Sequence, residues 1–185
     1  FSIGTFGIVS PNAIGKSTFL SLITGMQTPD SGEIVINGMN QKHDPMLAKT
    51  RISCAPGADA LYPFMTGGEL LHLVAAARCI RDESYMSTVV DGFRLPPFTG
   101  VPFKELSEGT RHKFALTAAL MGQSDILVLD EPTNALDDSS ILFLRDQIRS
   151  RTANTITIIA THDKLFLDSI EAVQIEASSL LNSAS

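Results

Sequence analysis

Cys54 and Cys79 are the only two cysteines in this 185-residue sequence. They are too few and too far apart for a disulfide-bonded scaffold or a zinc cluster, and we expect both to be buried thiols in a reducing compartment. No apolar run approaches the length needed to cross a bilayer, and no basic segment precedes an apolar stretch at the start. These absences predict a cytosolic protein that would reach a membrane only through partners.

Basic residues are also in the minority. The sequence has 14 Lys and Arg against 20 Asp and Glu, which gives a formal net charge of −6. Nonspecific nucleic-acid binding relies on clustered positive charge, so we expect no nucleic-acid partner. The length allows one well-buried core and is too short for two domains.

One buried strand is predicted to end in two adjacent carboxylates. The run from Ile126 to Leu129 is wholly apolar, which is typical of a strand buried on both faces of a parallel sheet. Open α/β sheets bind ligands at the carboxyl edge of their strands, where Asp130 and Glu131 follow. Asp130 can bind a Mg²⁺-bound water, and Glu131 can polarise a water that attacks a phosphate.

A phosphate-binding loop is predicted near the start of the chain. An apolar, β-prone run from Thr5 to Val9 precedes a turn and a predicted helix from Ser17 to Thr24. Backbone N–H groups at such a helix N-terminus bind phosphate oxygens, and the helix dipole also favours anions. Lys16 would reach the β- and γ-phosphates, and Ser17 would bind Mg²⁺. The predicted nucleotide-binding residues are Ser10, Pro11, Asn12, Ala13, Ile14, Gly15, Lys16, Ser17 and Thr18.

Two further short motifs complete a set of four. Leu106 to Thr110 read Leu-Ser-Glu-Gly-Thr, and Ile158 to Asp163 read Ile-Ile-Ala-Thr-His-Asp. With the phosphate loop and the run from Asp130 to Asp137, they resemble the motifs of ATP-binding cassette (ABC) ATPases. In chain order these are the Walker A loop, the signature, the Walker B motif with its D-loop, and the switch-histidine segment. The resemblance spans nearly the whole chain.

The resemblance implies a role for each matching residue. Glu131 would act as the base on the attacking water, and His162 would contact the γ-phosphate and hold that water in place. Asp130 and Ser17 would bind Mg²⁺. Asp137 matches the D-loop carboxylate, which communicates across a dimer of cassettes. The residues that would face the γ-phosphate held by the other subunit are Ser107, Glu108 and Gly109.

Several positions depart from the family's usual residues. Ser10 and Ala13 replace glycines of the Walker A loop, and a side chain where positive φ is needed costs about 1 kcal/mol or more. Glu108 replaces a glycine and brings a negative charge towards a phosphate. Gly57 stands where the Q-loop glutamine is expected, so coupling to a partner would be altered unless Asp59 substitutes. We therefore expect weakened ATP binding.

The predicted fold is α/β, a P-loop NTPase with a mostly parallel sheet flanked by helices. We expect a single ABC ATPase domain over residues 1–185, with a small helical subdomain over about 69–105 that carries the signature motif. The antiparallel strands that precede Walker A in the family are expected to be missing or truncated. Helices are predicted over about 69–80, 84–93, 110–121 and 138–150, and further strands over 33–38, 51–55, 156–160 and 172–175, before a polar tail over 177–185 that should fray.

The leading interpretation is the ATP-hydrolysing subunit of an ABC transporter. It would bind ATP and Mg²⁺ between two cassettes, as a homodimer or a heterodimer. Separate transmembrane permease subunits would form the transport pathway and hold the chain at the cytoplasmic face of the membrane.

Two alternatives stay open at this point. A catalytically degenerate, regulatory subunit is favoured by Ala13, Gly57 and Glu108, whereas the retained Glu131 and His162 argue against it. A soluble ABC protein that acts on ribosomes or DNA is the other, because Thr161 to Asp168 resemble the Ser-His-Asp-Arg-Tyr-Phe-Leu-Asp segment of the translation-associated branch. The members of that branch carry two cassettes.

Overall fold

The computed structural model describes residues 1–9, 15–55, 61–80 and 83–177 of the chain. Two short 3-10 turns, Pro96–Phe98 and Phe103–Glu105, supplement the regular elements. In chain order those elements are β1 (Gly4–Val9), α1 (Lys16–Ile23), β2 (Val35–Ile36), β3 (Met39–Asn40), α2 (Pro45–Thr50), β4 (Ile52–Cys54), α3 (Gly67–Ala77), α4 (Glu83–Gly92), α5 (Glu108–Met121), β5 (Ile126–Asp130), α6 (Asp138–Arg151), β6 (Ile156–Ala160), α7 (Lys164–Ser169) and β7 (Val173–Glu176).

These elements fall into two compact units. The sheet unit contains the described residues within Phe1–Ser53, Ser124–Pro132 and Ile148–Ser185. The helical unit contains those within Cys54–Gln123 and Thr133–Gln147. The predicted single domain with an inserted subdomain over about 69–105 stays a prediction, which we take up below.

A five-stranded sheet with the order β4-β5-β6-β1-β7 forms the centre of the sheet unit. The pairs β5–β6, β6–β1 and β1–β7 are parallel, so the predicted mostly parallel sheet is confirmed. Strand β6 covers the predicted residues 156–160, and β5 is buried up to Leu129. Because Asp130 and Ile8 both lie in register with Ala160, three strands end at the same edge of the sheet.

The predicted strand over 33–38 is shorter than expected. Only Val35–Ile36 is extended, and it pairs antiparallel with Met39–Asn40 in a small separate sheet. Asn37 and Gly38 between them both have positive φ, 48° and 79°. This is the conformation that Asn-Gly favours in a tight hairpin, and the turn therefore ends the strand early.

Helices and buried aromatic rings build the helical unit. Helix α3 begins with the predicted capping box, in which the Thr66 hydroxyl accepts from the Glu69 N–H and the Glu69 carboxylate accepts from the Thr66 N–H. Phe103 and Phe114 are almost fully buried, and their rings pack edge to face. The helices predicted over 69–80, 84–93, 110–121 and 138–150 are confirmed as α3 to α6, and no end is shifted by more than three residues.

One expectation about the cysteines is wrong. Cys79 is exposed two residues after helix α3 ends at Ala77, and its φ of 52° places it in the left-handed turn that follows the helix. Cys54 is half-buried on β4, and burial raises the pKa of its thiol despite the opposing charge of Arg78. The tail beyond Ala177, which we expected to fray, lies outside the described residues.

Candidate functional site

The two predicted carboxylates lie at the end of β5, at the carboxyl edge of the sheet. The backbone N–H of Glu131 donates to the Ala160 carbonyl over 2.7 Å, so Glu131 stays tied to the end of β6. Its φ of 42° places the backbone in the left-handed region. A glutamate is disfavoured there, and strained backbone of this kind is characteristic of functional sites.

Three side chains converge on the Glu131 carboxylate. Lys16 Nζ donates to Oε1 over 3.3 Å, and Thr161 Oγ1 donates to Oε2 over 2.8 Å. His162 Nδ1 lies 2.9 Å from the same Oε2. The Lys16 and Thr161 side chains are buried, whereas the His162 side chain is 73% exposed. The predicted base and histidine are therefore in contact, and one side of the histidine faces solvent.

These contacts shift the protonation equilibrium of Glu131. Partial burial alone would raise its pKa, but the hydrogen bonds from His162, Thr161 and Lys16 outweigh burial and lower the pKa below its usual range. The carboxylate is thus ionised at neutral pH, as a proton acceptor must be.

A second contact joins the phosphate-loop helix to the other carboxylate. Ser17 Oγ donates to Asp130 Oδ2 over 3.1 Å. Partial burial raises the pKa of Asp130, the Ser17 hydrogen bond opposes this, and the adjacent Glu131 charge adds to it. Two neighbouring carboxyl groups with pKa values shifted in opposite directions can perform different tasks.

The oxygens of Ser17 and Asp130 suit Mg²⁺, which prefers hard oxygen ligands and keeps several waters. Among the residues that the structure describes, no group of three or more His, Cys, Asp or Glu side chains could bind a metal unaided. A Mg²⁺ ion here would therefore complete its coordination with water and phosphate oxygens, which is how nucleotide sites usually bind it.

Helix α1 begins where the phosphate loop ends. Gly15 precedes it with φ 87°, a conformation open to glycine, and no side chain caps the helix N-terminus. The N–H groups of the first turn are therefore available to an anion. Thr18, the last predicted loop residue, is exposed in that first turn. Five of the predicted nucleotide-binding residues lie outside the described residues, namely Ser10, Pro11, Asn12, Ala13 and Ile14, and so do Gly57 and Asp59 of the predicted Q-loop.

The predicted signature motif lies in the helical unit, at the start of α5. The Ser107 side chain caps this helix by accepting from the Thr110 N–H over 3.2 Å. Glu108 is exposed at the first helical position, where the helix dipole stabilises a carboxylate. Gly109 faces the backbone of the loop before α6, and a Cβ atom added to it would lie 2.4 Å from the Ala135 carbonyl oxygen.

Replacing Gly109 with alanine should lower the thermal midpoint of unfolding. Alanine normally stabilises a helix relative to glycine, but here the new methyl group clashes with backbone, at a cost of about 1–3 kcal/mol. Gly100→Ala is the matched control, because nothing lies within 4 Å of its added Cβ. Thermal unfolding of both variants without nucleotide tests this, and equal shifts in the two midpoints would contradict the close approach.

The predicted D-loop carboxylate, Asp137, immediately precedes helix α6. Its Oδ1 accepts from the N–H and the hydroxyl of Ser140, over 2.9 and 3.0 Å, and its Oδ2 pairs with Lys113 on α5. The Lys113 hydrogen bond, followed by that of Ser139, holds the pKa of Asp137 well below its usual range. Lys113 is therefore engaged in an ion pair within the helical unit, and its pairing with a residue 24 positions away could not be foreseen from the sequence.

Comparison with known proteins places this arrangement in a family. Residues 4–134 match the family model described as ABC transporter. This chain belongs to the ABC transporter family. Nod factor export ATP-binding protein I of Rhizobium etli is 33% identical over 159 residues, which cover 84% of this chain and 50% of that protein. ATP-binding cassette sub-family A member 7 of Rattus norvegicus is 31% identical over 159 residues, covering 84% of the chain and 7% of that protein.

The cassette fold is also seen in solved structures. A dimeric ATP-binding cassette in a post-hydrolysis state, bound to ADP and Pi, has a TM-score of 0.78 at 21% identity. The match covers 95% of this chain and 84% of that one. This likeness shows that the cassette has the P-loop NTPase fold that its motifs predict. The chain spans half or less of the relatives above, and no helix in its described part is long and apolar enough to span a bilayer.

Sequence reasoning missed Thr161 in the sheet unit and the ion pair of Lys113 in the helical unit. Thr161 lies between β6 and His162, and its hydroxyl both donates to Glu131 and accepts from the Asp163 N–H over 3.1 Å. Its position beside the switch histidine was the available signal. Lys113 lies near the start of α5, and nothing in the sequence indicated its contact with Asp137.

Proposed function

We propose that this chain binds ATP with Mg²⁺ and hydrolyses it, as the nucleotide-binding subunit of an ABC transporter. The observation that supports this most directly is the cluster in which Lys16, Thr161 and His162 contact the Glu131 carboxylate, beside the Ser17–Asp130 pair. A buried lysine at a helix N-terminus, an ionised base and a hydroxyl–carboxylate pair are the groups that phosphoryl transfer requires.

Each residue has a defined task in this proposal. Lys16 would leave Glu131 and bind the β- and γ-phosphates, together with the N–H groups at the start of α1. Glu131, freed on Oε1, would accept the proton of the attacking water, while Thr161 and His162 orient the carboxylate through Oε2. Ser17 and Asp130 would bind Mg²⁺, which neutralises phosphate charge when bound. Release of Lys16 would thus couple nucleotide binding to exposure of the base.

The partners follow from the family and from one surface feature. We propose that two cassettes associate around ATP, so that Ser107, Glu108 and Gly109 of one face the nucleotide of the other. Tyr62 and Phe64, which are 71% and 78% exposed, follow the predicted Q-loop position and would contact a permease subunit. The chain would then lie at the cytoplasmic face of a membrane.

We also propose that both units belong to one ABC ATPase domain over 1–185, with its helical subdomain at about 69–105.

A second candidate, a degenerate regulatory subunit, is favoured by Glu108. Its exposed carboxylate lies one residue after Ser107, so a dimer would bring it towards the phosphates of the opposite nucleotide. Coulomb repulsion there would weaken the composite site unless a cation on the partner offsets it. Such a chain would bind ATP in its own loop without hydrolysing it and would regulate an active mate.

Titration of the purified chain with a fluorescent ATP analogue, followed by phosphate-release assays with Mg²⁺ or with EDTA, separates these functions. The proposal expects saturable binding and Mg²⁺-dependent phosphate release. Binding without release would favour the degenerate subunit. An absence of saturable binding would overturn both. Sequencing of the flanking open reading frames tests the transport partner, since an adjacent polytopic membrane protein is expected.

A further inference from the structure

Two segments of the helical unit meet at two independent points. One is helix α5, which begins after Ser107, and the other is the loop 133–137, which leads into α6. Gly109 on α5 approaches the carbonyl oxygen of Ala135, and Lys113, one turn further along α5, pairs with Asp137. Ala135 itself has φ 56°, so the loop adopts a left-handed backbone at its point of closest approach. A steric contact and an ion pair thus fix the same loop on the same helix.

The two oxygens of the Asp137 carboxylate have separate partners. Oδ1 accepts hydrogen bonds from Ser139 Oγ, from the Ser140 N–H and from Ser140 Oγ. The Asp137 side chain thereby caps the N-terminus of α6. Oδ2 accepts from Lys113 Nζ. The Oδ1 contacts hold the carboxylate at the start of α6. The Lys113 contact at Oδ2 therefore fixes the start of α6 relative to α5.

The burial of Lys113 distinguishes this pair from an ordinary surface ion pair. The Lys113 side chain is only 14% exposed, against 50% for Asp137. Arg145 and Asp146, a pair on α6 in the same unit, are 33% and 62% exposed and are neighbours in sequence. An exposed pair of this kind contributes little, whereas loss of Asp137 would leave the shielded Lys113 ammonium without its counter-charge.

We infer that Lys113 is a positioning residue, which holds the loop 133–137 on helix α5 so that Ser107, Gly109 and Asp137 move as one body. This inference rests on the proposed function. The residues proposed to bind a cassette's own ATP lie in the sheet unit, so loss of Lys113 should leave that binding unchanged. In the proposed function, ATP turnover needs the signature and the D-loop of the opposite subunit. We therefore expect loss of Lys113 to lower both ATP turnover and ATP-dependent dimer formation.

Lys113→Met is the decisive variant, measured as the full chain beside its parent. We expect its dissociation constant for the fluorescent ATP analogue to stay within twofold, while the maximal ATP turnover rate falls about tenfold. Lys113→Arg, which keeps the charge, should restore most of the turnover. Arg145→Met removes an exposed pair in the same unit and should change neither quantity. A merely structural role would lower thermal stability and lower binding and turnover together.

If Lys113→Met does not fold, Lys113→Gln replaces it in the same measurements. A double-mutant cycle tests the contact between Lys113 and Asp137. Turnover of Lys113→Met, Asp137→Asn and the double variant should be strongly non-additive if the contact is what matters. A Lys113→Met enzyme with parental turnover, or full additivity in the cycle, overturns the positioning role alone. A parent chain that binds no ATP overturns the proposed function itself, and the positioning role with it.

Discussion

Glu131→Gln should abolish ATP turnover while leaving ATP binding intact. Glutamine keeps the shape of glutamate and can still accept from Thr161, but it lacks the basic oxygen that takes a proton from water. Loss of a general base typically costs about 10²–10⁴-fold in rate. With the γ-phosphate uncleaved, the ATP-bound dimer should live longer, so light scattering with Mg²⁺ and ATP should show a shift towards dimer.

The control for this variant is Glu171→Gln in the same unit. Glu171 forms an exposed ion pair with Arg149 over 2.7 Å, so the substitution removes one carboxylate that is not part of the proposed site. Its turnover should match that of the parent. Equal turnover of Glu131→Gln and parent would refute the assignment of the base.

Lys16→Ala should weaken ATP binding by about a hundredfold. Its ammonium contacts the Glu131 carboxylate beside the start of α1, and its side chain is only 7% exposed. A hydrogen bond to a charged group contributes about 1.5–3 kcal/mol, and 1.4 kcal/mol corresponds to a tenfold change in affinity. Isothermal titration with ATP measures the change directly.

Lys49→Ala, on the exposed surface of α2, is the matched control and should bind ATP like the parent.

Lys16→Ala should also change how stability depends on pH, because the Lys16 contact is one of those that lower the pKa of Glu131. A group with a lowered pKa stabilises the fold above its unfolded-state pKa, and this contribution is lost as the pH falls through the folded-state value. The variant should therefore lose less stability than the parent upon acidification below about pH 4. Parental affinity in Lys16→Ala would disprove the proposed role in phosphate binding.

The edge of the sheet could be predicted because it follows from simple patterns. The β-branched run of β6 forms a strand where predicted, and apolar β5 lies beside it in parallel. Parallel strands end at one edge, which is why Glu131 and His162, 31 residues apart, come into contact.

Other features depend on tertiary contacts or on short local signals. The packing of the strand ends decides that the Thr161 hydroxyl donates to Glu131. The sequence alone does not single out Glu131 among the possible acceptors. Helix α7 has only six residues and was not predicted, although Asp163 caps it by accepting from the Phe166 N–H. The exposure of Cys79 depends on where α3 ends, and helix ends are placed only to within one or two residues.

At Glu131 the backbone conformation disfavours the side chain that the proposed chemistry requires. Glycine adopts φ 42° without steric penalty, and asparagine tolerates it, whereas a glutamate there is held only by its surroundings. A chain selected for stability alone would drift towards glycine or asparagine at this site. A subunit without need of a base would be free to make that exchange, so the glutamate at this position supports the proposed role of Glu131 as the base.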